Sequence, residues 1–393
     1  MQQRLSRGIE QLLSGVFLMN NKWPITGYAM HTAAGTECNF NYERNIGFTE
    51  SKNSDWTNCV NQSNIQNVCE IIKKTIDRAI HNARLNISSD YIISLIIASN
   101  FFENTFWEKD EMKTMKDENY ITTYLKDIYP INGVIVCNST ACSSGGNAIV
   151  TACQILDDNK TDVVIVLGYD IESEIPKNGM RRVGALSKHK IAPFSLGRTG
   201  TDLADGIGVM IIESSETVKA RSATVHASIV GYGVNSDAYN ITSPEPSGTA
   251  LLKAMKGAIN MAGIPINEVD YINAHGSGTK LNDIIETKVT KELFKEHAYE
   301  LYINSSKSMI GHTLGAAGVI EVIITIMQMD QGIIHPTANF LGNDVECDLN
   351  YCFEEKIDCY IKYAISSSIG FGGTNVCILL EGGRSYAEKC CYN

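Results

Sequence analysis

Gly133-Val134-Ile135-Val136-Cys137, then Ser139-Thr140-Ala141-Cys142-Ser143-Ser144-Gly145-Gly146, then the run Asn147 to Leu156: these read in turn as strand, sharp turn and helix. A thiol at the first turn of a helix faces unpaired backbone N–H groups and the positive end of the helix dipole. Both favour thiolate over thiol. The small residues around Cys142 leave room for a substrate to reach the sulfur. A single cysteine in such a turn is weak evidence, because free cysteine is also a common buried hydrophobe; that reading suits Cys137 and Cys153.

Three further turns have the same construction. Tyr271-Ile272-Asn273-Ala274-His275-Gly276-Ser277-Gly278-Thr279 looks like a strand ending in a glycine-rich turn, followed by Asn282, Asp283 and Glu286. Ser305-Ser306-Lys307-Ser308-Met309-Ile310-Gly311-His312 leads through Gly315-Ala316-Ala317-Gly318 to Glu321. Ser368-Ile369-Gly370-Phe371-Gly372-Gly373-Thr374-Asn375 sits between two apolar strands. Strands are predicted at 91–98, 134–137, 163–167 and 208–212, then at 223–232, 269–273, 363–367 and 376–380. Helical spacing appears over 68–84, 147–156, 249–261 and 315–329. The alternation argues for an α/β fold.

Composition narrows the class. The 393 residues are 44% hydrophobic and 20% charged, an ordinary globular balance long enough for two domains. A net charge of −11 argues against nonspecific nucleic-acid binding and against an anionic membrane surface. No run looks long and apolar enough to span a membrane. The 12 cysteines show no metal spacing, and Cys390 and Cys391 are merely adjacent; a reducing cytoplasm is the simpler reading. Residues 1–18 place Leu5, Ile9, Leu12, Leu13, Val16 and Phe17 at helical spacing behind Arg4 and Arg7. Without a small-residue cleavage site, they read as an N-terminal extension or short amphipathic helix.

The four turns, in this order, resemble those of the β-ketoacyl-[acyl-carrier-protein] synthases, the decarboxylating condensing enzymes of fatty-acid and polyketide assembly. The likeness runs from about Trp23 onward. It implies a thiolase-like fold: two pseudo-duplicated α/β halves in five layers, each with a five-stranded sheet. The expected division is a half with the nucleophile over 19–218 and a half with two histidines over 219–393. The resemblance implies Cys142 as nucleophile, and His275 and His312 as donors to an enolate oxygen. Lys307 and Glu321 are expected as an ion pair beside the second histidine. The backbone N–H groups of Cys142 and Phe371 would form an oxyanion hole, with the Phe371 ring as gate. Ser277 and Thr279 would bind a phosphopantetheine arm, while Asp283 and Glu286 would be structural. No cofactor and no metal are expected. The partners implied are an acyl carrier protein and a second subunit, identical or a noncatalytic chain-length factor.

The chemistry supports those roles: a condensation of two thioesters needs a nucleophile that is also a good leaving group, and a thiolate is both. Other readings remain open at this point. A chain-length factor would lack the cysteine, and a thiolase would use a second cysteine in place of the second histidine turn. A cysteine hydrolase would release free acid, and a malonyl-carrier decarboxylase would share the fold. The chain departs from the family at Ser195 and Thr199, where aspartates are usual, and the 98–142 stretch looks short. Both lean toward a specialised polyketide or polyene pathway. For an acidic carrier, the densest basic run is Arg181, Arg182, Lys188, Lys190 and Arg198, leading into the loop beside the proposed site.

Overall fold

Ten strands follow one another in a single hydrogen-bonded path, most of them apolar runs that are buried on both faces. The computed structural model describes residues 22–37, 65–88, 90–103, 119–171, 173–353 and 355–383. The expected segment over 1–18 lies outside them, as do Cys390 and Cys391. The strands are β1 (Trp23–Thr32), β2 (Ile93–Ala98), β3 (Ile135–Asn138), β4 (Val163–Asp170) and β5 (Gly206–Glu213). The second set is β6 (Ala227–Ser236), β7 (Tyr271–Asn273), β8 (Tyr302–Asn304), β9 (Tyr363–Ile369) and β10 (Thr374–Gly382).

Their spatial order is β3-β2-β4-β5-β1, then β6-β10-β9-β7-β8. Counted within each half, both sets run third, second, fourth, fifth, first, outward edge to centre. The pairing repeats as well. β2 is parallel to β3 and β4, while β4–β5 and β5–β1 are antiparallel. Likewise β7 is parallel to β8 and β9, while β9–β10 and β10–β6 are antiparallel. The halves join where Trp23, Pro24 and Ile25 pair with Ile229, Ser228 and Ala227. This is the thiolase-like duplication that the resemblance implied.

Among the described residues, eight α-helices longer than one turn complete five layers: α1 (Ile65–Asn82), α2 (Tyr120–Ile128), α3 (Ser144–Asp157), α4 (Glu174–Arg182), α5 (Ser215–Arg221), α6 (Thr249–Ala262), α7 (Lys280–Phe294) and α8 (Ala317–Gln331). Helix α1 packs outside β1 and β5, and α6, flanked by α7, packs outside β6 and β10. Between the sheets, α3 and α8 pack on each other and on strands of both halves. Strand β4 shows why its sequence is apolar throughout: Val163, Ile165 and Leu167 face the outer core, while Val164 and Val166 face the central one.

The two central helices cross backbone against backbone. A Cβ on Gly145 would lie 2.6 Å from the Val319 nitrogen, and one on Gly318 would lie 2.5 Å from the Gly146 nitrogen. The segment Leu314–Gln331 corrects one expectation. It is 18 residues long with mean hydropathy 1.2, enough by length and composition to cross a membrane, yet 89% of it is buried between the sheets. It is apolar all round because it is a core helix.

Candidate active site

Strand β3 delivers Cys142 through a turn that side-chain hydrogen bonds hold. Ala141 adopts a left-handed φ of 53°, an unfavourable conformation for a residue with a Cβ. The Ser144 hydroxyl accepts from the Thr140 N–H at 2.8 Å and donates to the Ala141 carbonyl at 2.6 Å. The Ser143 hydroxyl donates to the Thr140 carbonyl at 2.7 Å. Cys142 ends up where two cavities meet, with little of its surface open to solvent. Burial works against the expected thiolate. Burial pushes the Cys142 thiol up to about 11, and the Lys307 charge and a hydrogen bond from the Phe371 N–H offset it only in part.

Both histidines line the same cleft as Cys142, their rings edge to face with centroids 5.5 Å apart. Burial holds both imidazoles well below the usual histidine range, with Lys307 adding to the effect, so they are neutral at pH 7. The Leu314 N–H donates to His312 Nδ1 at 3.2 Å. The Lys307 ammonium approaches His275 Nδ1 at 3.3 Å and donates to the His275 carbonyl at 2.7 Å. In each ring Nδ1 is thus the acceptor, which leaves the proton on Nε2. Two neutral N–H donors in one cleft suit a developing oxyanion.

Lys307 is wholly buried and paired with Glu321. Its position corrects the expectation that the pair supports the second histidine: although it lies on the His312 turn, it bonds to His275. The reason is geometric, because parallel β7 and β8 set the two turns side by side. Glu321 Oε2 has no hydrogen-bond partner among the described residues, and burial raises this carboxyl, with Lys307 opposing.

The third glycine turn closes the cleft. Gly370 presses on the Cys142 turn, where a Cβ would lie 2.8 Å from the Thr140 carbonyl oxygen. Gly372 and Gly373 have φ of 84° and 85°. The Phe371 ring is 36% exposed, so it stands at the cleft rather than in the core between the strands. Ser277 and Thr279 also line the cleft, their hydroxyls 2.9 Å apart. The cleft at this mouth holds about 190 Å³. A second, more apolar cavity of about 470 Å³ opens on the other side of Cys142, walled by Phe101, Ile175, Met180, Val183 and Leu314.

Of the basic run, Arg181, Arg182 and Lys188 are exposed and Lys190 is half-buried. Arg198 is not part of that surface. It is buried, paired with Asp283 at 3.2 Å and with Asp344. Two carboxylates from the second half draw its side chain inward, which sequence proximity to a basic run does not reveal. Ser195, one of the departures from the family, is buried beside it, and its carbonyl accepts from Arg198 at 3.0 Å. Thr199, the other, bonds to Ser187 at 2.9 Å.

Two further carboxylates hold the site. Glu286 accepts from the His275 N–H at 2.8 Å and the Gly276 N–H at 2.7 Å, gripping the histidine's backbone. Burial, with Asp283 adding, raises it to about 7. Asp170, at the end of β4, accepts from Gly315 beyond the second histidine and from Ser99 and Asn100 beside the apolar cavity. The sequence signal for Asp170 was a lone acid closing an apolar strand. Among the described residues, no group of three or more His, Cys, Asp or Glu could hold a metal ion.

Comparison with known proteins adds an independent line. The family described as Beta-ketoacyl synthase, N-terminal domain matches residues 69–217, and Beta-ketoacyl synthase, C-terminal domain matches residues 226–341. Among curated relatives, 3-oxoacyl-[acyl-carrier-protein] synthase 2 of Staphylococcus aureus is 38% identical over 260 residues, covering 64% of this chain and 63% of that protein. The protein of the same name from Coxiella burnetii is 36% identical over 260 residues, with 64% and 63% covered. The matched region thus spans less than two thirds of either relative. Among solved structures, a beta-ketoacyl synthase from Burkholderia phymatum superposes with TM-score 0.80 at 25% identity, over 92% of this chain and 100% of the other. A ketosynthase in complex with its chain length factor from Xenorhabdus doucetiae superposes with TM-score 0.71 at 24% identity, over 92% and 98%. This last likeness concerns the fold alone.

Proposed function

We propose that this chain, which belongs to the beta-ketoacyl synthase family, catalyses decarboxylative condensation of a malonyl thioester with an acyl group held on Cys142. The observation that carries the reading is the convergence of one thiol and two neutral imidazoles, both with Nδ1 occupied as acceptor, in one cleft. In the first step the Cys142 sulfur attacks an acyl thioester, and the carrier thiol leaves with the proton that Cys142 gives up. In the second, malonyl thioester loses CO₂, and the electron pair of the broken bond moves onto the thioester oxygen. The Nε2–H groups of His275 and His312 stabilise that enolate. In the third, the enolate carbon attacks the acyl-Cys142 carbonyl, whose oxygen is met by the N–H groups of Phe371 and Cys142. Collapse expels the Cys142 thiolate and leaves a β-ketoacyl thioester.

The two cavities suit this order. The apolar one takes the acyl chain and the mouth lined by Ser277 and Thr279 takes the phosphopantetheine arm. We read the carrier as an acyl carrier protein meeting Arg181, Arg182, Lys188 and Lys190, without a further cofactor. Strand β3 supports a second subunit: among the described residues no strand pairs with its outer edge, and Val134 and Cys137 are exposed there. That subunit is either a copy of this chain or a chain-length factor. All cysteines among the described residues are free, in keeping with a reducing cytoplasm. The departures at Ser195 and Thr199 favour a polyketide or polyene pathway.

Mass spectrometry of the protein incubated with an acyl carrier thioester, then with its malonyl counterpart, tests the reading. The expected result is an acyl adduct on Cys142, followed by a carrier-bound product longer by two carbons. Free acid in place of that product would identify a hydrolase, and CO₂ release with no acyl adduct would identify a decarboxylase.

A further inference from the structure

We propose that Asp170 is a positioning residue that fixes the imidazole tautomer of His312 and ties that ring to the acyl-side wall of the cleft. The inference rests on reading His312 as a donor to the enolate.

Asp170 is 1% exposed, and its carboxylate reaches two segments that have no sequence connection. Oδ2 accepts from the Gly315 N–H at 2.6 Å. Oδ1 accepts from the Ser99 hydroxyl at 2.7 Å, and both oxygens accept from the Asn100 N–H at 3.1 and 3.0 Å. The Phe101 N–H adds a longer contact at 3.4 Å. A carboxylate supplies only acceptors, and every group around it is a donor. The match does not survive replacement of either oxygen by N–H.

The Gly315 bond matters because of the residue before it. Leu314 has a left-handed φ of 51°, a conformation that holds only where its surroundings determine it. That conformation links the Leu314 N–H, which donates to His312 Nδ1, to the Gly315 N–H that Asp170 holds. Anchoring Gly315 therefore anchors the donor that keeps the His312 proton on Nε2, the nitrogen left free for the cleft. Gly315 has no slack: a Cβ there would lie 2.8 Å from both Asp170 Oδ2 and the Asn100 nitrogen.

The other segment connects to the nucleophile and to the acyl cavity. The Asn100 side chain lies 3.1 Å from the Ser144 hydroxyl, and its backbone carbonyl accepts from Ser139 at 3.3 Å, so it braces both sides of the Cys142 turn. Asn100, Phe101 and Leu314 all line the apolar cavity. One buried carboxylate thus joins the cavity wall, the cysteine turn and the histidine turn. Burial raises it to about 6, and the four donors around it pull the other way.

The test is the variant Asp170→Asn, read by two-bond ¹⁵N–¹H correlation spectra of histidine-labelled protein, with His312 assigned by its loss in His312→Ala. Wild type should show a single Nε2–H tautomer at His312. The variant should show a mixture with Nδ1–H, and malonyl-thioester decarboxylation should fall about 10- to 100-fold, the range seen when a group that orients a metal-ligating histidine is lost. Ser99→Ala removes a donor on the loop side only and should keep the wild-type tautomer. If Asp170→Asn does not fold, Gly315→Ala pushes the same contact apart from the other side and should give the same mixture. A wild-type His312 spectrum in Asp170→Asn or, failing that, in Gly315→Ala overturns the proposal. A mixed tautomer with undiminished decarboxylation supports the positioning and instead overturns the role given to His312.

Discussion

A thiol held at about 11 reacts through a scarce thiolate, and its rate betrays the fact. Below that value the thiolate fraction rises about tenfold per pH unit, so iodoacetamide inactivation should climb steadily from pH 7 to 10. A plateau below pH 8 would show that the helix N-terminus outweighs burial. Cys142→Ala should abolish acylation, and Cys137→Ala should leave it intact, since Cys137 lies outside the cleft lining. His275→Ala and His312→Ala should each slow malonyl decarboxylation by about 10²-fold or more, the usual cost of an oxyanion donor, while acyl transfer to Cys142 persists. Lys307→Ala should resemble His275→Ala, because its ammonium touches that ring and carbonyl. It should also leave Glu321 buried without its cation, at a cost of about 3–5 kcal/mol in urea unfolding. That Cys142, His275 and His312 share one cleft was legible from motif and chemistry, but which histidine the lysine touches was not. That depends on two turns lying side by side in space.

Elements explain what the sequence showed and what it hid. Long apolar strands such as β4 and β5 were plain because both faces are buried. Helix α7 was not, since Asn282, Asp283, Glu286, Thr287 and Thr290 are all buried and blur its apolar spacing. Helix α4 carries Pro176 and Gly179, which read as breakers, and β8 has only three residues. Arg198 stood in a basic run, yet its partners Asp283 and Asp344 come from the other half. Arg198→Met should therefore destabilise the fold by about 3–5 kcal/mol. Arg181→Glu with Arg182→Glu should shift stability by no more than about 0.5 kcal/mol, and should weaken carrier-dependent turnover at low salt. Unchanged turnover would move carrier docking elsewhere. At the crossing of α3 and α8, Gly318→Ala puts a methyl against backbone and should cost about 1–3 kcal/mol, with loss of activity because both turns shift together.

Across the whole molecule, α3 from one half and α8 from the other share one core. Calorimetry should find a single unfolding transition, and two resolved transitions would mean the halves are independent. The pH dependence of that stability has two opposing sources. Asp170 and Asp283 are raised to about 6 and Glu286 to about 7 by burial. Their contribution is full below about pH 4 and is lost as pH rises to about 7, because the unfolded chain releases those protons first. His275 and His312 are lowered, so their contribution is lost as pH falls below 6.5. Glu286→Gln should make the slope of stability against pH more positive between about 4.5 and 7; an unaltered slope would remove Glu286 from that balance.

The repeated strand order gives the molecule two equivalent positions from which to present a turn. The third strand of one half carries the Cys142 turn, and the third strand of the other carries the turn of Lys307 and His312. The second strands end likewise at Asn100 and at His275. These are the same two slots used twice. Because the halves differ in sequence, one copy of the slot presents a thiol and the other a buried ammonium and an imidazole.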